Sequence, residues 1–461
     1  MKRSNIQSSF SRITTYLTRV SKAQDIRRKL LATLVILIIY RLASHIPVPG
    51  VDRQLFASIF NSQSGTGTFV SLLDMLSGGT VSNFSVMAMG VYPYITAQII
   101  LQLLIPIVPS WKQRMEDDQR EGRRWMERWT YYLAIPMAAL QAIGQINIFS
   151  SLAGGQVITN FGFSGENLLP SVAIIFSMTA GTMFGIWLGE LISEYGLRQQ
   201  GLSLIIFAGI VAQIPQNFGS LLSDEQNRIF LIIFMTLLMV ITIFLIIFVQ
   251  QGRRNVPVMY PGRRVGSRMS MPVKGTLPLM VNMAGMIPLI FAQSLLTFPA
   301  VVASFFILSE TQWVRTVAQW TQDNFGGATG VYWLLYFIMV VGFTFFYTDV
   351  LFSQQNYGEN LKRSGAQIPG VSRGEKTQEY LTKVLRRITL PGAVFLGIIA
   401  VLPYLISLIL SGLNLPVLQN AGLFLISSSG LLIVVGVVRD VFFSIDAELK
   451  LHGYEDTLLV R

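Results

Sequence analysis

The chain has 461 residues, of which 52% are hydrophobic and only 13% charged. Soluble domains carry about 25% charged residues, so this balance, with a mean hydropathy of +0.53, excludes an ordinary soluble protein and indicates a polytopic membrane protein. The absence of cysteine excludes disulfides and thiolate metal sites, and two distant histidines, His45 and His452, argue against a metal or haem centre.

A basic tail, residues 1–29, precedes the first apolar run. It is too long for the basic region of a signal peptide, so the run from Leu30 reads as a retained first span. Residues 68–80 follow, with Phe69, Val70, Leu72, Leu73, Met75 and Leu76 gathered ahead of Ser77-Gly78-Gly79. This is about two turns of helix, whereas a bilayer needs about 20 residues. It either folds back into protein at membrane depth or lies on the outer surface.

Full-length runs then succeed one another. Ten spans are predicted, at roughly 30–47, 84–106, 130–150, 169–192, 202–218, 229–250, 278–304, 331–351, 388–410 and 421–443. Backbone groups in lipid must bond internally, and strand-like alternation is absent, so the spans are expected to be helices. With ten spans, segments 1–29, 107–129, 193–201, 251–277, 352–387 and 444–461 fall on one side and carry thirty Lys and Arg. The opposite loops carry three, Arg53, Arg228 and Arg315. Basic residues mark the cytoplasmic side, so both termini are expected there, and most of the net charge of +11 is orientation signal. Ten spans also permit two inverted halves of five, 30–225 and 226–443, between the basic tail 1–29 and the C-tail 444–461.

Glu190, Asp349 and Asp440 sit near cytoplasmic span ends, and no acidic residue lies mid-span. That disfavours an ion-coupled pump. Phosphate-binding, serine-hydrolase and zinc-protease motifs are absent, so no enzyme activity and no cofactor are expected. Thr96, Gln98, Gln141 and Asn282 are neutral polar residues within spans, where interhelical hydrogen bonding is the simplest role.

Six blocks now combine: RLASHIPVPGVD (41–52), SLLDMLSGG (71–79), MGVYPYITAQIILQLL (89–104), GTMFGIWLGELISEYGLRQQGLSLIIFAGIVAQIP (181–215), LPLMVNMAGMIPLIFAQSLLTFP (277–299) and NLKRSGAQIPGVSRGEKT (360–377). In content and order they resemble the SecY family of protein-translocase channel subunits. The resemblance implies an all-α fold of ten spans in two pseudo-symmetric inverted halves with a plug half-helix. Phe69, Leu72, Leu73, Asp74, Met75, Leu76, Gly78 and Gly79 would belong to that plug, which answers why a half-length helix precedes a full one. Val91, Ile95, Ile206, Ile287 and Ile433 would line an aliphatic pore ring, and Thr96, Gln141 and Asn282 a lateral gate between spans two and three and spans seven and eight. Arg253, Arg254, Arg263, Arg264 and Arg268 in loop 251–277, and Lys362, Arg363 and Arg373 in loop 352–387, would dock the ribosome (through rRNA phosphates) or the ATPase SecA. Anionic lipid or plain orientation charge is the competing role for these cations.

The resemblance further implies SecE-like and SecG-like small subunits, signal sequences and unfolded preproteins as partners, membrane lipids as surroundings, and the bacterial inner membrane rather than the thylakoid. The implied activity is passive passage of secretory chains and lateral release of membrane helices. A small-solute transporter with an inverted repeat, and a docking scaffold, are the alternatives. Two places depart from the family pattern: Ser372-Arg373 stands where Arg-Pro is usual, and Ser427-Ser428-Ser429-Gly430 where Gly-Gly-Thr-Ser is usual.

Overall fold

Apolar runs become helices because an α-helix bonds every interior peptide group within itself. The computed structural model follows that rule over its described residues: 23–51, 84–153, 157–158, 161–162, 165–197, 200–222, 228–261, 264–265, 268–269, 273–307, 311–325, 329–412 and 427–451. The helices are α1 (Gln24–Ala43), α2 (Tyr92–Leu104), α3 (Pro109–Asp117), α4 (Gln119–Ala153), α5 (Leu168–Tyr195), α6 (Gly201–Leu222), α7 (Arg228–Gln250), α8 (Ile287–Ser304), α9 (Gln312–Phe325), α10 (Gly330–Gln355), α11 (Tyr357–Arg363), α12 (Glu375–Gly412) and α13 (Ser427–Leu451). Each expected span falls on one of them. By length and composition six described helices suffice to cross a membrane, or seven if α2 and α3 count as one span. That pair bends by 102°, at a break holding Pro106 with Pro109 just beyond it, residues that cannot continue a helix's bonding.

Three regions differ from a purely helical reading. Residues 84–91 are turns rather than the start of span two, with Phe84 at φ 39° and Gly90 at φ 52°. Residues 278–286 are likewise not helical: span seven begins at Ile287, because Pro278 and Leu279 still belong to a strand. That strand, β4 (Val273–Met280), pairs antiparallel with β1 (Arg253–Tyr260), in register from Arg253 opposite Met280 to Tyr260 opposite Val273. Inside this hairpin, β2 (Arg264–Val265) pairs with β3 (Arg268–Met269).

The chain divides into two units: residues 1–98, 129–220 and 433–461 in the first, and 99–128 and 221–432 in the second. The first has a core in which Val48, Phe84, Ala88 and Met89 meet Ala138, Ala142, Ile146 and Phe149 of α4 and Ile174 and Met178 of α5. Phe84 meets Phe149 edge to face at 5.6 Å. The turns at 84–91 are thus covered by protein, the condition under which irregular backbone is tolerated at membrane depth. Val48 N–H and Val86 N–H tie them to the end of span one through the carbonyls of Phe84 and Ile46, at 3.0 and 2.9 Å. Within the same unit Lys29 of α1 pairs with Glu448 of α13.

Three buried threonine hydroxyls inside helices bond to the carbonyl one turn back. Thr182 donates to the Met178 carbonyl at 3.1 Å, Thr297 to Gln293 at 2.9 Å and Thr344 to Val340 at 2.6 Å. A threonine in an apolar span can spend its hydroxyl on its own helix.

α4 spans 35 residues, about 52 Å at 1.5 Å per residue, far more than a bilayer core of about 30 Å. Its charged first turns therefore project from the bilayer. Asp118 caps them, accepting from the Arg120 and Glu121 amides at 2.9 and 3.2 Å. Those two donors hold its carboxyl below the ordinary carboxylate value. A depressed carboxylate stabilises the fold fully above the ordinary pKa of about 4, and that contribution is lost as pH falls through the lowered value. Asp118→Ala is therefore expected to lower the protection of the Arg120 and Glu121 amides, taken relative to their intrinsic exchange rates, at neutral pH, and acid to lower the same protection in the native chain. Unchanged protection in both cases would remove the cap.

Candidate functional site

Two constellations carry the residues singled out in the sequence. The first lies in the first unit. Val91 is fully buried at the entry to α2, and the Ile95 amide donates to its carbonyl at 3.2 Å. Ile95 is half-buried, while Ile206 on α6 and Ile433 on α13 are buried. One turn into α2 the buried Thr96 donates to the Tyr92 carbonyl at 3.0 Å and accepts from Gln141 Nε2 of α4 at 3.4 Å. The structure thus joins spans two and three by the polar pair expected to lie along them. Gln141 Oε1 has no hydrogen-bond partner among the described residues, and neither does Oε1 of buried Gln145, one turn along α4. Gln145 was not singled out from sequence, although its i+4 spacing from Gln141 puts both on one helix face. An unsatisfied buried amide oxygen costs about 1–3 kcal/mol, so the Gln141–Gln145 face holds α4 to its neighbours less firmly than an apolar stripe of equal area.

In the second unit Ile287 opens α8, half-buried. Asn282 is buried and spends its amide on its own chain: Nδ2 donates to the Gly285 carbonyl at 3.1 Å, and Oδ1 accepts the Gly285 amide at 2.9 Å. This four-residue turn, with Gly285 at φ 65°, separates β4 from α8. α8 packs on α10, where Phe291 meets Tyr347 edge to face at 5.6 Å.

The second constellation is the pair of basic loops, which in this unit fold as one body. α12 spans 38 residues, and its first turns, from Glu375 through Arg387, are polar on one face and apolar on the other. Leu381, Val384 and Leu385 from that face pack with Val256 and Val258 of β1, Leu279 of β4, Phe352, Leu361 of α11 and Ile368. Met259 and Gln367 exchange two backbone hydrogen bonds at 2.8 and 2.9 Å, so the second loop adds to the hairpin edge. Gln378 Oε1 accepts the Gly358 amide at 2.8 Å, and the Thr377 hydroxyl donates to the Ser372 carbonyl at 2.7 Å. Asp349 and Arg386 tie α10 to α12 at 2.9 Å.

On this platform Arg253, Arg254 and Arg373 are exposed. Lys362 and Arg363 are exposed too and share Glu359, at 3.9 and 3.3 Å. Arg264 and Arg268 lie at the inner end of the hairpin. Arg263 and every plug residue, from Phe69 to Gly79, lie outside the described residues. Among the described residues no three His, Asp or Glu side chains gather to hold a metal ion.

The family model for SecY matches residues 85–442. Proteins named protein translocase subunit SecY match along nearly the whole chain. One from Streptomyces griseus is 35% identical over 454 residues, covering 96% of this chain and 99% of its own. One from Halalkalibacterium halodurans is 37% identical over 455 residues, with 95% and 98% covered. The chain belongs to the SecY family. A solved structure described as that of a protein conducting channel superposes with a TM-score of 0.59 at 17% identity, covering 94% of this chain and 95% of the other. Another, concerned with the plug domain of a SecY protein, gives 0.58 at the same identity and coverage. This likeness establishes the shared fold. A SecY-family chain with these helices is a multi-pass membrane protein and a subunit of a translocation complex.

Proposed function

We infer that the chain is the channel subunit of a protein translocase, passing unfolded secretory proteins across the membrane and releasing membrane helices sideways into it. The observation that carries this reading is end-to-end similarity to translocase subunits, 35% identity over 96% of the chain. The pore would be passive. Val91, Ile95, Ile206, Ile287 and Ile433 would form its constriction, since an apolar ring excludes water and ions yet yields around a passing chain. Residues 68–80 would be the plug. Thr96, Gln141 and Asn282 would mark the lateral gate, and the unsatisfied Gln141 and Gln145 oxygens suit a seam that must part. The halves 30–225 and 226–443 would be the inverted repeats. A solute pump would want a free carboxylate at mid-membrane, whereas Asp349 and Asp440 are each paired with an arginine.

Work would come from SecA or the ribosome, with SecE-like and SecG-like subunits completing the complex in the bacterial inner membrane and both termini in the cytoplasm. The platform's exposed arginines support this docking role, since two loops packed on one core present their cations together. In proteoliposomes holding the assembled complex and a motor, signal-bearing precursors are expected to be imported; solute uptake without protein import would contradict the reading. In the same preparation, reversing charge at Arg253→Glu and Arg254→Glu is expected to weaken partner binding by about tenfold and flatten its salt dependence. Unchanged affinity and slope would reduce both residues to orientation charges.

A further inference from the structure

α9 has no place in the transport account. It is only 14 residues, QWVRTVAQWTQDNF, too short to span. Its surface divides into three sectors. One faces protein: Ala318 is buried, Val314, Gln322 and Phe325 beside it are half-buried, and α9 packs on α8. A second is apolar and open: Trp313, Val317 and Trp320, at spacing i, i+4 and i+7, are 70%, 56% and 61% exposed. The third is polar and exposed: Gln312, Arg315, Thr316, Gln319 and Asp323.

Chain connectivity puts α9 at a membrane surface. The other end of α8 leads from the hairpin and the other end of α10 into α11, so α9 joins the ends of both spans remote from the platform. Exposed apolar residues continue on both neighbours: Phe305 and Phe306 just after α8, and Val331, Leu334 and Ile338 along α10. Indole rings favour this depth, with an apolar body and an N–H for lipid carbonyls. One cation, Arg315, and one anion, Asp323, leave the helix near neutral.

We propose that α9 is an interfacial anchor whose Trp313–Val317–Trp320 stripe inserts among phospholipids at the acyl–headgroup boundary, fixing the depth of α8 and α10. Its occupant is lipid, held by apolar burial rather than charge, so the contact is insensitive to salt. The inference rests on the membrane assignment and not on protein transport, and its test does not read transport.

The natural absence of cysteine makes single-site labelling direct. Nitroxides are placed at Val317→Cys and, separately, Gln319→Cys in the full chain, in nanodiscs of zwitterionic phospholipid. At position 317 oxygen accessibility is expected to exceed that of a water-soluble nickel chelate several-fold, with the order reversed at 319 and neither changed by salt. Equal chelate access at both sites would mean that the stripe stands in water. Shielding of 317 from both reagents would mean that protein covers it. Either result overturns the anchor. Brominated phospholipid gives a second reading without cysteine: the fluorescence lost on Trp313→Phe and Trp320→Phe is expected to be the strongly quenched component, and an unquenched component would also overturn it.

Discussion

Gly201→Leu is expected to abolish accumulation of the folded chain, and Gly201→Ala to lower its thermal midpoint already. A Cβ at Gly201 would stand 1.7 Å from the Gly189 carbonyl oxygen and 2.7 Å from Ser193 Oγ. The first is backbone of α5 and cannot swing aside. The approach is held by the Gly201 amide donating to Ser193 Oγ at 3.2 Å, while that hydroxyl donates to the Gly189 carbonyl at the same distance. Gly189 ends a stripe with Gly185 and Gly181, four residues apart along α5. A Cβ at Gly181 would meet the Val86 carbonyl oxygen at 2.3 Å. Small residues let backbones approach in a membrane, where packing replaces the hydrophobic effect. Overpacking costs about 1–3 kcal/mol where side chains can yield, and a backbone neighbour puts alanine at the upper end of that range or above it. Gly342 is the control, having nothing within 4 Å of its would-be Cβ; Gly342→Ala is expected to be near neutral, within about 0.5 kcal/mol. Equal midpoints for the 201 and 342 alanine variants would refute the close approach.

The second large effect lies in the platform. Leu381→Asp is expected to release hairpin and loop from each other while leaving the chain in the membrane. Leu381 is fully buried among Val256, Val258, Leu361 and Leu385. A carboxylate there would lie in apolar surroundings, at a cost of several kcal/mol. The platform's own core is small, so that cost exceeds what its remaining contacts return. Limited proteolysis checks this directly: cleavage within 253–280 should accelerate, while fragments from the first unit persist as before. Partner-driven import should fall with it, because Arg253 and Arg373 would no longer be held on one body. Native-like protection would show that the loops stand independently.

These features differ in how far they could be read from residues. Long apolar runs such as 229–250 announced themselves, and that helix runs Arg228–Gln250. Thr96 and Gln141 stood out as polar residues in apolar spans, and they meet. The predicted span seven, 278–304, begins too early because LPLMVNMAGMIP is apolar but for Asn282. Apolarity alone does not separate a buried strand and turn from a helix, and the Asn282 amide decides in favour of the turn. The hairpin alternation was similarly concealed: Val256 and Val258 point inward, but Pro257 between them and the arginines before them suggest an irregular loop. The platform itself had no local signal, because its core joins residues more than a hundred positions apart. The Gly181–Gly185–Gly189 spacing was visible, but its partners, Val86 and Gly201, are a matter of tertiary structure.

Whether a secretory chain passes through this subunit is the central question, and a photocrosslinker at Ile206 answers it most directly. With a precursor stalled during transport through the assembled complex, the account predicts crosslinks to the mature part of that precursor. A preparation that transports protein yet gives no crosslink from position 206 would contradict it, placing the path elsewhere and removing Ile206 from the constriction.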